Sequence, residues 1–237
     1  MASDGATSDG VLTARPPAVA PSAFPDGAPA LGSAPDDPAA PILYIPPDLP
    51  DGPVPLVVLF HGAGSNPKQA LPVIRAEANR RRFIILAPKS RGATWDALKG
   101  GFGPDIEALD AMLALLFERY PIDPARVAVA GFSDGASYAL SVGLINGDLF
   151  SRVFVFSGGY FVPGRIGGRP EIYVSHGYYD SVLPIEFTGM EIVRVLRDDG
   201  FTPYFREFEG GHEAPYDVVE EAFELLFGDP PAEAPAT

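Results

Sequence analysis

Val127-Ala128-Val129-Ala130-Gly131-Phe132-Ser133-Asp134-Gly135-Ala136 is the stretch on which the reading of this chain turns. Four small or β-branched apolar residues lead to a glycine, a serine and a second glycine, and an apolar helical run continues from Ala136 to Ile145. Gly-x-Ser-x-Gly between a strand and a helix is the spacing of a sharp turn that lifts a serine hydroxyl above the end of a sheet. The glycines let neighbouring backbone pass without a clash. The first amides of the following helix also face any negative charge that develops there. The pentapeptide alone is equally compatible with an ordinary glycine-rich turn, so its surroundings decide.

Outward from this turn, short apolar runs alternate with longer amphipathic segments. The runs are Leu56 to Phe60, Phe83 to Leu86, Val127 to Ala130, Val153 to Phe156, Ile172 to Val174 and Tyr204 to Phe208. Most are continuously apolar, as strands covered on both faces are. Ile106, Leu109, Leu113, Leu116 and Tyr120 recur at steps of three and four, with Glu107, Asp110, Glu118 and Arg119 on the other side. A second stripe, Phe187, Met190, Val193 and Leu196, starts after Pro184 and stops at Gly200; a third, Val218, Ala222, Leu225 and Leu226, runs to Gly228. This alternation predicts an α/β fold: a mostly parallel central sheet of about eight strands with helices on both faces. The link from Phe156 to Ile172 is too short for a large lid domain.

The chain has 237 residues, 46% of them hydrophobic and 20% charged, which suits one domain with a sizeable core. That domain is expected over residues 41–228, with a flexible tail over 229–237. Eleven of the 27 prolines fall in the first 50 residues, so residues 1–40 are expected to be a partly irregular Pro/Ala-rich segment. Leu12-Thr13-Ala14-Arg15 and Ile42-Leu43-Tyr44-Ile45 read as antiparallel edge strands; the alternative is a disordered tail to about Ala40. A net charge of −14 opposes binding to nucleic acid or anionic lipid. The absence of cysteine excludes disulfides, thiolate nucleophiles and cysteine-ligated metals. No apolar run is long enough to span a bilayer, and no signal peptide is visible at the start, so a cytoplasmic location is expected, although a trimmed secreted form would read the same.

A serine hydroxyl is a weak nucleophile until a base takes its proton. With a serine on such a turn, the acid and then the histidine follow in chain order. Of three histidines, His61 precedes the serine and His176 precedes the expected acid, as a histidine supporting a loop does. His212, in Glu209-Gly210-Gly211-His212-Glu213 between the last strand and last helix, is the expected base. The acid must lie at a strand end between Ser133 and His212, and Asp180 meets that condition; as an aspartate before a helix it also reads as a cap. Leu59-Phe60-His61-Gly62-Ala63-Gly64-Ser65 supplies a side-chain-free loop, so the backbone N–H groups of Ala63 and Asp134 are the expected oxyanion donors, with His61 buttressing the loop.

These motifs in this order resemble the α/β-hydrolase superfamily, and more narrowly the bacterial phospholipase/carboxylesterases and the polyhydroxyalkanoate-depolymerase or feruloyl-esterase-like esterases. The resemblance covers about Ile42 to Phe227 and is supported by Tyr120-x-Ile122-Asp123-Pro124-x-Arg126-Val127, by Ser90-Arg91-Gly92-Ala93-Thr94-Trp95-Asp96, and by His176-Gly177-x-x-Asp180-x-x-x-Pro184. It departs at Asp134-Gly135-Ala136, where many relatives carry a neutral polar residue and two glycines. The resemblance implies a serine hydrolase of small or medium soluble carboxylic esters acting through an acyl-enzyme. It also puts the loop bearing Trp95 at the active site, so Trp95 is expected either to line the substrate pocket or to be ordinary packing. Tyr160 and Phe161 are further candidates for the pocket wall. No cofactor or metal is expected, since the three histidines are dispersed and no calcium loop or dinucleotide fingerprint is present. The expected partner is a small-molecule ester; oligomeric state is left open, a homodimer included. The competing readings are a noncatalytic binding protein of the same fold, and a thioesterase, peptidase or acyltransferase using the same residues.

Overall fold

The computed structural model describes residues 9–21, 24–25 and 40–228. Their seven strands are β1 Ile42–Tyr44, β2 Val54–Phe60, β3 Ile84–Ala87, β4 Ile122–Phe132, β5 Arg152–Phe156, β6 Glu171–Gly177 and β7 Tyr204–Phe208. They form one sheet in the order β1-β3-β2-β4-β5-β6-β7, antiparallel at β1 and parallel elsewhere. The helices are α1 Pro67–Ala70, α2 Pro72–Arg81, α3 Pro104–Arg119, α4 Asp134–Ile145, α5 Gly189–Asp198 and α6 Tyr216–Phe227. The segment 157–170 between β5 and β6 contains neither helix nor strand, so no lid domain is inserted there.

Alternation along the strands sorts the core into two layers. Leu56, Val58, Phe60, Val127, Val129, Val153, Val155, Ile172 and Val174 face α3, α4 and α5. Val57, Leu59, Ala128, Ala130, Phe154, Phe156 and Tyr173 face α2 and α6. All seven residues of β2 are buried, which explains a run without polar alternation. With burial worth about 1.5 to 3 kcal/mol per large apolar side chain, the central strands carry most of the stability. That rigid sheet holds the loops at the C-terminal strand ends, where ligand sites of open α/β sheets form.

One expected strand is absent. Residues 11–15 form no strand and join no sheet, which accounts for seven strands rather than about eight. Leu12 N–H donates to Asn146 Oδ1 at 2.7 Å, and the N–H groups of Thr13 and Ala14 donate to Asp110 Oδ1 at 2.8 Å. Two side chains therefore satisfy the donors that a neighbouring strand would have served. Residues 1–8, 22–23 and 26–39 of the Pro/Ala-rich segment, and the tail expected over 229–237, lie outside the described residues.

Candidate active site

Ser133 joins β4 to α4 with φ 58° and ψ −125°, a conformation that costs a non-glycine residue about 1 to 3 kcal/mol. The surroundings hold it there. Ser133 N–H donates to the Phe156 carbonyl at 3.0 Å, and its own carbonyl accepts from Ala136 and Ser137 N–H at 2.9 and 3.1 Å. A Cβ at Gly131 would collide with the Gly135 carbonyl, and one at Gly135 with the Phe60 carbonyl oxygen. Backbone crosses backbone here, with no flexible side chain to yield. Gly135→Ala should therefore destabilise the fold by about 3 kcal/mol or more in urea titration. A loss below about 1 kcal/mol would contradict this packing.

Three loops converge on the serine. His212, after β7, places Nε2 2.9 Å from Ser133 Oγ and Nδ1 2.7 Å from Asp180 Oδ2. Those partners require the Nδ1–H tautomer, with Nε2 free to accept the serine proton. The loops carrying Asp180 and His212 are clamped backbone to backbone: Tyr178 N–H donates to Phe208 O and Tyr179 N–H to Gly210 O, both at 2.9 Å. Gly177 lies directly against the Gly210 and Gly211 carbonyls, so no side chain fits between the loops. The His212 ring also leans on Phe132, with centroids 4.9 Å apart.

Asp180 is buried, and burial alone would push its carboxyl up; the N–H of Leu183, His212 and the N–H of Val182 overcome this and hold it below the usual carboxylate range. Its Oδ1 accepts from Val182 and Leu183 N–H at 2.9 and 2.8 Å. The carboxylate is thus ionised and fixed in rotation, with Oδ2 turned to the imidazole.

The other two histidines serve loops. His176 is fully buried, its Nε2 2.7 Å from Leu183 O and 3.1 Å from Asp180 Oδ2. His61 is also fully buried; Nδ1 donates to Gly62 O at 2.8 Å and Nε2 accepts from Ser90 N–H at 3.2 Å, tying the loops after β2 and β3 together. Burial lowers the pKa of both, and nearby Lys89 lowers that of His61 further. The folded state thus keeps them neutral, while the unfolded chain takes up protons as the pH falls below about 6.5. Stability is fully present above that value and is lost below it, as the pH falls towards the depressed folded pKa values. The thermal midpoint should be level from about pH 8 to 7 and fall between about pH 6.5 and 5. A midpoint unchanged down to about pH 5 would contradict neutral burial of these rings.

Gly62 sits against the serine, its Cβ position 3.4 Å from Ser133 Cβ, which brings the Ala63 loop to the hydroxyl. Neither Ala63 N–H nor Asp134 N–H donates to another backbone group among the described residues. Gly64 N–H donates to Ala93 O at 2.6 Å, so the loop after β3 braces the loop after β2.

Of the three pocket candidates, Trp95 takes the packing alternative. It is 1% exposed, its indole N–H donates to His61 O at 2.8 Å, and it stacks on Tyr138 with centroids 4.8 Å apart. The buried indole braces the loop from beneath. Phe161 is half-buried and packs on the core side of the sheet. Tyr160 is 49% exposed, its hydroxyl donates to Leu98 O at 3.2 Å, and its N–H reaches Ser137 Oγ in the first turn of α4 at 3.4 Å; burial and then the Asp134 charge raise its pKa. Two supporting residues escape a sequence reading. Ser157, with φ 50°, donates its hydroxyl to Glu213 O at 2.8 Å and so anchors the His212 loop. Thr94 donates its hydroxyl to Asp134 Oδ2 at 2.5 Å. Nothing local marks either one; the only hint for Ser157 is its place at a strand end before two glycines.

A parallel sheet with helices on both faces, an elbow serine at a central strand end and a histidine loop after the last strand define the α/β-hydrolase class. Residues 105–226, more than half of the chain, match the Phospholipase/Carboxylesterase family model, and the chain belongs to this family. Among solved structures it is similar to esterase PE8, at 25% identity over 78% of this chain and 98% of that one, with a TM-score of 0.60. It is similar in fold to a thermostable esterase, at 24% identity and TM-score 0.63, over 81% of this chain and 59% of that chain. A ferulic acid esterase from Anaeromyces mucronatus, solved with ferulic acid, shares the fold at 19% identity and TM-score 0.61, over 79% of this chain and 85% of that one. Among curated proteins, none matches the chain. Among the described residues, no helix is long and apolar enough to cross a membrane.

Proposed function

We propose that this family member is a serine esterase of small or medium soluble carboxylic esters, with Ser133 as nucleophile, His212 as base and Asp180 as its orienting acid. The observation that carries the reading is the continuous relay from Ser133 Oγ to His212 Nε2 at 2.9 Å and from His212 Nδ1 to Asp180 at 2.7 Å. In this reading Ser133 Oγ attacks the ester carbonyl carbon as its proton moves to His212 Nε2, and Asp180 stabilises the imidazolium. The Ala63 and Asp134 amides hold the oxyanion, each worth about 3 to 4 kcal/mol in comparable sites. Collapse expels the alcohol, which takes the proton from His212, and leaves Ser133 acylated. Water then attacks the acyl carbon, its proton passing to His212, and the acid leaves as Ser133 recovers its proton.

The chain's esterase neighbours and the short β5–β6 link, which among the described residues holds no helix or strand, support esters that reach an open cleft. The test is hydrolysis of p-nitrophenyl acetate, butyrate and octanoate by the purified protein. Saturable turnover of the shorter esters is expected. No turnover on any of the three would overturn the reading.

A further inference from the structure

The carboxylate next to the proposed nucleophile has no role in the relay, yet its position is built. Asp134 is the first residue of α4, half-exposed, and its Oδ2 accepts the Thr94 hydroxyl at 2.5 Å. Thr94 follows Ala93, whose carbonyl accepts Gly64 N–H at 2.6 Å, so this bond bridges the elbow to the loop bearing Ala63. Tyr160 lies close by, its N–H reaching Ser137 Oγ in the first turn of α4 at 3.4 Å and its hydroxyl donating to Leu98 O at 3.2 Å. Among the described residues, no Lys, Arg or His forms an ion pair with Asp134. Of the cations on this stretch, Lys89 is held by the Ser90 and Gly92 carbonyls, and Lys99 Nζ lies 3.2 Å from the Cβ position of Gly92. A carboxylate with no ion-pair partner among the described residues thus stands beside the place where the scissile carbonyl must dock, because the same residue's N–H is one of its proposed donors.

We propose that Asp134 sets substrate specificity: it favours esters carrying an amine or quaternary ammonium group near the scissile carbonyl and rejects those carrying a carboxylate there. The inference rests on the serine-esterase reading. Thr94 fixes the carboxylate in rotation, so its charge acts at one place in the cleft. In a half-exposed cleft, a unit charge a few ångströms from a substrate charge changes transition-state binding by about tenfold.

The test compares kcat/KM for three p-nitrophenyl esters of matched length: butyrate, 4-(trimethylammonio)butyrate and the glutarate monoester. Wild type should prefer the cationic over the anionic ester by about tenfold or more. Asp134→Asn should bring that ratio close to one, whereas Glu224→Gln, which removes the same charge from the exposed side of α6, should leave it unchanged. Raising salt from about 0.02 to 0.5 M should shrink the wild-type ratio and leave the butyrate rate level, a readout that needs no variant. A wild-type ratio near one, a ratio unchanged by Asp134→Asn or by salt, or an equal loss in Glu224→Gln overturns the proposal. Failure of the esterase reading looks different, since butyrate itself would then not be hydrolysed.

Discussion

Ser133→Ala should lower kcat for a p-nitrophenyl ester by about four orders of magnitude or more, while the thermal midpoint moves by no more than about two degrees. The two halves of that expectation come from different parts of the structure. Chemistry fails because the variant lacks Oγ, the atom that stands 2.9 Å from His212 Nε2 and forms the acyl bond in the proposed reaction. Folding survives because the turn is held by the main-chain bond from Ser133 N–H to Phe156 O and by the glycine contacts, all of which an alanine keeps. Rates of the mutant and wild type on p-nitrophenyl butyrate, with matched thermal melts, check it. Retention of more than about 1% of wild-type kcat would assign the nucleophile elsewhere.

Asp180→Asn should cost about 10^4-fold in kcat, the scale seen when the corresponding acid is amidated in another serine hydrolase. The neighbours of Asp180 give a specific reason. Val182 and Leu183 N–H both point at Oδ1, so the amide NH2 cannot occupy that position without facing two donors. It must take the Oδ2 position and present its hydrogens to His212 Nδ1. The imidazole is then driven to the Nε2–H tautomer, which cannot accept the serine proton. kcat/KM across pH, measured beside urea unfolding, separates this effect from misfolding. A folded Asp180→Asn protein within about tenfold of wild type would remove Asp180 from the relay.

The candidate site is more legible in the sequence than its supports. Ser133, Asp180 and His212 announce themselves because each sits in a short segment bounded by glycines or prolines at a strand end. Their distances came only from the fold. The continuous runs of β2 to β6 are legible because both faces of those strands are buried. Helix α2 is not, because its buried face carries Glu77 and Arg81, paired at 2.7 Å, alongside Ile74 and Ala78. An ion pair facing inward erases the hydrophobic period that marks a helix. Leu12 and Ala14 show the opposite failure. Both are buried with polar neighbours between them, as in an edge strand, yet their backbone partners are side chains 96 to 134 residues away. No local pattern encodes that. Trp95 illustrates a third limit: its place on a loop near the site is visible in the sequence, but whether it faces the cleft or the core depends on the Tyr138 and His61 contacts beneath it.

The most direct test of the central claim is to label the folded protein with a fluorophosphonate and map the adduct by mass spectrometry. An acylating serine activated by His212 should give a single adduct on Ser133, absent in His212→Ala. No adduct, or one on Ser137 or another serine at equal yield in His212→Ala, would contradict the account.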